Sequence, residues 1–199
     1  TNASSLAVAV TVPAAGVSMN AGIDAVINEG SLFTRTITFS DGEDAGADGW
    51  TYSVNWGDGS TIETGSIAAG ANSFDISHFF ADGDVGHDVS VTVTDVAGDS
   101  DTQQFRLNVN NVAPTLSIAG ADDINEGGIY VLAITATDPA GAADPLTYSI
   151  DWGDGSSLQS LAAAELAALG GNVEHVYADD EDGPVNAMPR TITVTVNDG

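Results

Sequence analysis

The side chains in this sequence best equipped for chemistry are carboxylates: Asp and Glu number 29 among 199 residues, against 3 Lys and Arg. Many stand at turn signals rather than inside apolar runs. Glu29, Asp58, Asp82 and Asp84 mark such turns in the first half, Asp138, Asp144 and Asp198 in the second, and Asn110 and Asn111 lie between the halves. Carboxylates and amide carbonyls are hard oxygen donors. Ca2+ takes about six to eight of them in irregular geometry, whereas Mg2+ demands a regular octahedron and dehydrates reluctantly. A structural Ca2+ site is therefore the chemistry that these residue types allow. No Asp-x-Asp-x-Asp-Gly run of the EF-hand kind is present, so the fold itself must gather the donors.

The elements that would gather them are short strands. Trp50, Tyr52, Val54 and Trp56 share one parity of an alternating run, and so do Leu146, Tyr148, Ile150 and Trp152. A period of two predicts half-buried strands. Each run ends in the same pentapeptide, Trp56-Gly57-Asp58-Gly59-Ser60 and Trp152-Gly153-Asp154-Gly155-Ser156, whose glycines and Asp suit a tight reversal. Further strands are expected at 6–12, 33–39, around Thr61 and Ile62, at 74–80, 89–93 and 105–109. Arg35 lies in register with the inward Phe33 and Ile37, a discord that an edge position or snorkelling would resolve. The pattern then restarts: Leu116 to Ile118, Ile124-Asn125-Glu126-Gly127, Tyr130 to Ala136 and His175-Val176-Tyr177 repeat earlier stretches, and Ile192 to Asp198 matches Val89 to Asp95.

This organisation predicts an all-β chain of two tandem antiparallel β-sandwiches, residues 1–111 and 112–199. The second carries extra residues around Asp182 to Pro189 and has a short helix at 160–169 in place of an edge strand; the counterpart of the last strand either lies beyond these residues or is missing from the domain. Leu161 to Leu169 is rich in Ala and Leu and stops at Gly170-Gly171. With strands running alternately up and down, Glu29, Asp58, Asp82 and Asp84 share one pole of the first sandwich. Asp138, Asp144 and Asp198 share the near pole of the second, with Asn110 and Asn111 at the junction.

A net charge of -26 repels nucleic acid and anionic membrane. A hydrophobic content of 43% arranged with strand periodicity argues against a disordered acidic tail. The chain has no cysteine, so Ca2+ rather than disulfides would staple it, and no stretch approaches the length of a membrane helix. The abrupt ends read as an interior piece of something longer. High-salt adaptation would produce the same acidity.

Other chemistries fare worse. His78 and His175 align with core-facing aromatics and have no second His or Cys at ligand spacing, which reads as packed, hydrogen-bonded histidine. Asp58 and Asp154 could be cast as glycosidase acids, but each sits where a turn already requires Asp, and one active site would not recur in both repeats. Ser60 and Ser156 lack a strand-to-helix nucleophile elbow. The parity of Trp50, Trp56 and Trp152 with aliphatic neighbours makes them core, not a sugar platform.

The ordered set of Trp-Gly-Asp-Gly-Ser, His-x-aromatic and Val-x-Val-Thr-Asp (in the second copy Val-x-Val-Asn-Asp), twice over, resembles tandem domains of the polycystic-kidney-disease (PKD) type found in large bacterial surface and secreted proteins. The resemblance implies an immunoglobulin-like sandwich and a non-catalytic role at the bacterial cell surface or outside the cell. That role is a spacer or stalk, with a binding module or an accessory domain of a secreted hydrolase as the alternatives. Its implied partners are neighbouring repeats of the same chain, and a glycan or host protein in the alternative, with the chain itself a monomer. Some members bind Ca2+ near the linker through a linker Asn, here Asn110 or Asn111, and an Asp after the second strand, here Asp138.

Overall fold

The alternating runs form strands because each can bury one face and leave Thr, Ser and Asp on the other. The computed structural model describes residues 16–42, 49–178 and 188–199. The strand expected at 6–12 and the extra residues around Asp182 to Pro189 lie wholly or largely outside them. Within the described residues the fold is two antiparallel β-sandwiches of immunoglobulin-like kind in tandem.

The first sandwich is built from β1 (Ser18–Asn20), β2 (Ala25–Asn28), β3 (Ser31–Ser40), β4 (Trp50–Asn55), β5 (Glu63–Ile67), β6 (Ser73–Phe80), β7 (Val85–Asp95) and β8 (Ser100–Asn110). One sheet runs β1-β3-β6 and the other β2-β8-β7-β4-β5. Val54, Trp56, Ile76, Val89, Val91, Val93 and Leu107 fill the space between them. The hairpin partner of β4 begins at Glu63, after the expected Thr61 and Ile62. The strand expected at 89–93 is longer, Val85–Asp95, and takes in Asp88. Arg35 lies in the part of β3 beyond its pairing with β1, which covers only Thr38–Ser40. Its guanidinium lies 3.9 Å from the centre of the Phe105 ring and donates to Ala21 O at 3.0 Å, so the aromatic face and one carbonyl replace its water.

The second sandwich comprises β9 (Thr115–Ala119), β10 (Ile129–Thr137), β11 (Thr147–Asp151), β12 (Gln159–Ala162), α1 (Ala163–Ala168), β13 (Asn172–Val176) and β14 (Thr193–Asn197). Its sheets are β13-β10-β9 and β12-β11-β14. Tyr130, Leu132, Ile134, Leu146, Tyr148, Ile150, Trp152, Leu166 and Val173 form one buried cluster. The helix follows a short edge strand instead of replacing it: β12 pairs with β11 through Thr147↔Ala162 to Ile150↔Gln159, and Glu165 then reaches back to the Ala162 N–H at 2.8 Å. The two repeats share a register. Ser18 pairs with Ser40 in one and Thr115 with Thr137 in the other, a shift of 97 residues at both positions.

By contacts the chain divides into two compact units. The second takes in, besides 109–199, the segments Asn28–Ser31 and Phe79–Val85.

Candidate cation site

The carboxylates that the sequence singles out as cation donors fall in this second unit: Glu29, Asp82, Asp84, Asp138, Asp144 and Asp198, with Asn110 and Asn111. The Glu29 corner is made by backbone bonds that fix the chain before any side chain acts. Glu29 N–H donates to Asn110 O at 3.0 Å, and Gly30 N–H to Phe80 O at 2.8 Å. Gly30 has φ +64°, and a Cβ there would meet Pro139 O at 2.5 Å, so both conformation and room require glycine.

Glu29 itself is 2% exposed. Its Oε1 accepts from Val112 N–H at 2.8 Å, while its Oε2 is buried with no hydrogen-bond partner. A buried carboxylate oxygen so placed costs free energy unless something positive meets it. One carboxylate oxygen each from Glu29, Asp82 and Asp144 lie within 4.8 Å of one another. Oxygens about 2.4 Å from a central ion span about that distance, so the three can share one Ca2+.

The surroundings repeat the pattern. Asp138 Oδ1 accepts from Ala140 N–H at 2.8 Å, while Asp138 Oδ2, Asp198 Oδ2 and Asn111 Oδ1 are buried and unpartnered. The same shortage occurs at Trp50 Nε1 in the first sandwich, and nothing in the structure accounts for it. The Asp144 carboxyl is held above its ordinary range, first by desolvation and then by the charges of Asp198, Asp82, Asp138 and Asp84. Among the described residues the ion pairs are Asp58 with His78, Asp88 with Arg106 and Asp154 with His175, and none belongs to this group. The cluster gathers oxygens of a kind that could hold a cation. Asp84 contributes charge and an unusual backbone, with φ +57°.

Asp58, expected near Glu29, is committed elsewhere. Its Oδ1 accepts from the Ser60 hydroxyl at 2.6 Å and the Ser60 N–H at 3.0 Å, and its Oδ2 meets His78 Nε2 at 2.6 Å. The His78 ring stacks on Trp56 with centroids 4.8 Å apart. Asp154, His175 and Trp152 repeat the clasp, at 2.8 Å and 4.5 Å. Burial raises the Asp58 carboxyl, but the Ser60 bonds and His78 outweigh it and push it down to about 2. The Ser156 bonds and His175 likewise lower that of Asp154. Gly57, at φ +75°, would place a Cβ 2.8 Å from Asp88 O, and Gly153 is hemmed in by Thr191 O in the same way. Gly59 and Gly155, also at positive φ, face open space. The pentapeptide and the histidine form one structural fastening. Sequence parity located each part but missed the Asp–His pairing, whose signal was the recurrence of both residues in both repeats.

No family model matches the chain, and no curated protein matches it. Among solved structures it is similar to a two-domain fibronectin type-III segment of chicken tenascin, at 10% identity over 92% of this chain and 97% of that one, with a TM-score of 0.36. It is similar also to the FN1–FN3 domains of chicken CNTN1, at 10% identity, 93% and 58% coverage and a TM-score of 0.30. Dimeric latent PorU from Porphyromonas gingivalis matches at 16% identity, 83% and 16% coverage and a TM-score of 0.27. Likenesses this distant carry no argument about function.

Proposed function

We propose that this chain is a non-catalytic, extracellular spacer of PKD type from a large bacterial adhesin or secreted repeat protein, stiffened by Ca2+. The observation that carries the proposal is Glu29 Oε2, buried without a partner beside Asp82 and Asp144. Six carboxylates held together by the backbone repel one another; a divalent ion turns that repulsion into cross-linking. Asn28–Ser31 and Phe79–Val85 continue in the chain into β3 and from β6 into β7. An ion that holds them would therefore stiffen the joint between repeats, and the high negative charge would keep an array soluble and extended.

Thermal unfolding in EDTA and then across a Ca2+ titration at constant ionic strength, with Mg2+ as control, tests the reading. A Ca2+-selective, saturable rise of several degrees is expected, since a ligand at about 100 times its Kd adds about 2.7 kcal/mol. A response equal to that of Mg2+ would leave a metal-free spacer.

A second reading, a binding module, is favoured by Ile129 and Val176, paired across β10 and β13 and both at least half exposed. Their counterparts 97 residues earlier, Leu32 and Phe79, are exposed as well. Binding assays against glycans and matrix proteins, repeated with Phe79→Ser, would detect it.

A further inference from the structure

Six carboxylates gather in the second unit, but only three of them bring oxygens close enough to share one ion. Oxygens bound to one Ca2+ at about 2.4 Å lie no more than about 5 Å apart. One oxygen each from Glu29, Asp82 and Asp144 meets that limit, and among the described residues no other group of three or more acidic, histidine or cysteine side chains does. Glu29 is 2% exposed and its Oε2 is unpartnered, which marks this group out from an ordinary acidic surface. Asp138, the residue that the PKD resemblance implies as a ligand, is outside the three.

The bonds of Asp138 give it another task. It follows directly on β10, and its Oδ1 accepts from Ala140 N–H at 2.8 Å. The Asp138 carbonyl accepts from Gly141 N–H at 3.2 Å, and the Ala140 carbonyl then accepts from Ala143 N–H at 3.2 Å. An aspartate that bonds the backbone N–H two residues on starts and holds a turn. These two linked turns end at Asp144. Within the first of them Ala140 is buried, and Pro139 O lies where a Cβ on Gly30 would meet it at 2.5 Å. The turn therefore sets the loop against the neighbour of Glu29 before the chain reaches Asp144. Asp138 Oδ2, buried without a partner, adds its charge to those that hold the Asp144 carboxyl high.

On the premise that the cluster holds Ca2+, we propose that Asp138 is a positioning residue of the site: Glu29, Asp82 and Asp144 hold the ion, and Asp138 places Asp144 by fixing the turns between them. The charge of Asp138 strengthens binding through space, without contact.

Three substitutions lose that charge equally and differ in the turn. Asp138→Asn and Asp138→Ser keep an oxygen able to accept from Ala140 N–H, whereas Asp138→Ala keeps none. In calorimetric Ca2+ titrations all three are expected to bind more weakly than the unmodified chain. Asp138→Ala is expected to bind about three- to tenfold more weakly than Asp138→Asn, as one hydrogen bond that preorganises the loop would give, with Asp138→Ser nearer to Asn. The gap should persist at high salt, which screens the charge that all three have lost. In EDTA, hydrogen exchange at the Ala140 amide is expected to quicken in Asp138→Ala alone. A Ser variant that binds no more tightly than the Ala variant would overturn the proposal, whether Asn binds well, as a ligand would, or all three bind alike, as a spectator would. An unmodified chain with no Ca2+-selective response would overturn the site itself and this role with it, whereas a failure confined to the Asp138 series leaves the site standing.

Discussion

The two sandwiches carry the same fastening and differ in what surrounds it. Trp56 and Trp152 are equally buried, each stacked on a histidine that is held by the aspartate of its own turn. Yet the valines of β7 are sealed while those of β14 are half open, and Glu29 is buried where its counterpart Glu126 is exposed. Identical local sequence therefore secures identical turn geometry but not identical burial. Burial depends on which distant segment arrives to cover the strand, and for the first repeat that is β8 and the Asn110 to Val112 stretch.

The largest expected effect tests whether the sandwiches stand apart in stability. Unfolding should show two transitions, with the second sandwich melting first because fewer apolar groups close its core. Trp152→Ala should lower the first transition, and Trp56→Ala the second, each by about 3–5 kcal/mol. If both substitutions move the same transition, the two cores are coupled and the comparison fails.

Glu29 against Glu126 is the next contrast. Glu29→Gln should remove the Ca2+-dependent gain, about 2.7 kcal/mol at about 100 times Kd, and should raise stability in EDTA by relieving a crowded buried charge. Glu126→Gln should change neither. Equal responses would mean that the buried oxygen of Glu29 has no special relation to the ion.

Gly30 and Gly127 sharpen the same point on the backbone alone. Both have positive φ, at +64° and +71°, so alanine at either costs about 1–2 kcal/mol in strain. A Cβ at Gly30 also meets Pro139 O at 2.5 Å, whereas one at Gly127 meets nothing within 4 Å. Gly30→Ala should therefore be the more destabilising by at least about 1 kcal/mol in chemical denaturation. Equal losses would show that the Glu29 corner can shift away from Pro139.

Much of this was legible in the sequence because period-two alternation and a repeated turn are local signals. Parity alone placed Trp50, Val54, Trp56, Tyr148, Ile150 and Trp152 in the cores. Up-and-down strand order brought Glu29 near Asp82 and put Asp138, Asp144 and Asp198 in one neighbourhood. Side-chain pairing across twenty residues was not legible, which is why Asp58 was counted with Glu29 although it belongs to His78. The depth of Glu29 was hidden as well. It comes from the Val112 N–H and the Asn110 carbonyl, 80 or so residues away, and Glu126 in the same Asn-Glu-Gly context is exposed. Arg35 found its place over Phe105, a contact that strand period does not encode.

The smallest effect separates the fastenings from the cluster by the sign of their pH dependence. The Asp58 carboxyl is pushed down to about 2 from 3.8, so between those values the unfolded chain binds more protons than the folded one. Stability then rises with pH, is fully present above about pH 4, and is lost as pH falls through about 2. Asp144 behaves oppositely. Its carboxyl is raised by desolvation and by Asp198, Asp82, Asp138 and Asp84, so the folded chain binds the extra proton and stability falls as pH climbs above 3.8. In EDTA, urea midpoints should therefore climb from about pH 2 to 4 and then decline. Ca2+ favours the ionised cluster, so it should reverse the decline while leaving the acid limb in place. His78→Gln should flatten part of the acid limb and leave the Ca2+ effect untouched. A Ca2+ effect confined to the acid limb would place the ion at the fastenings, and the distinction between the two regions would collapse.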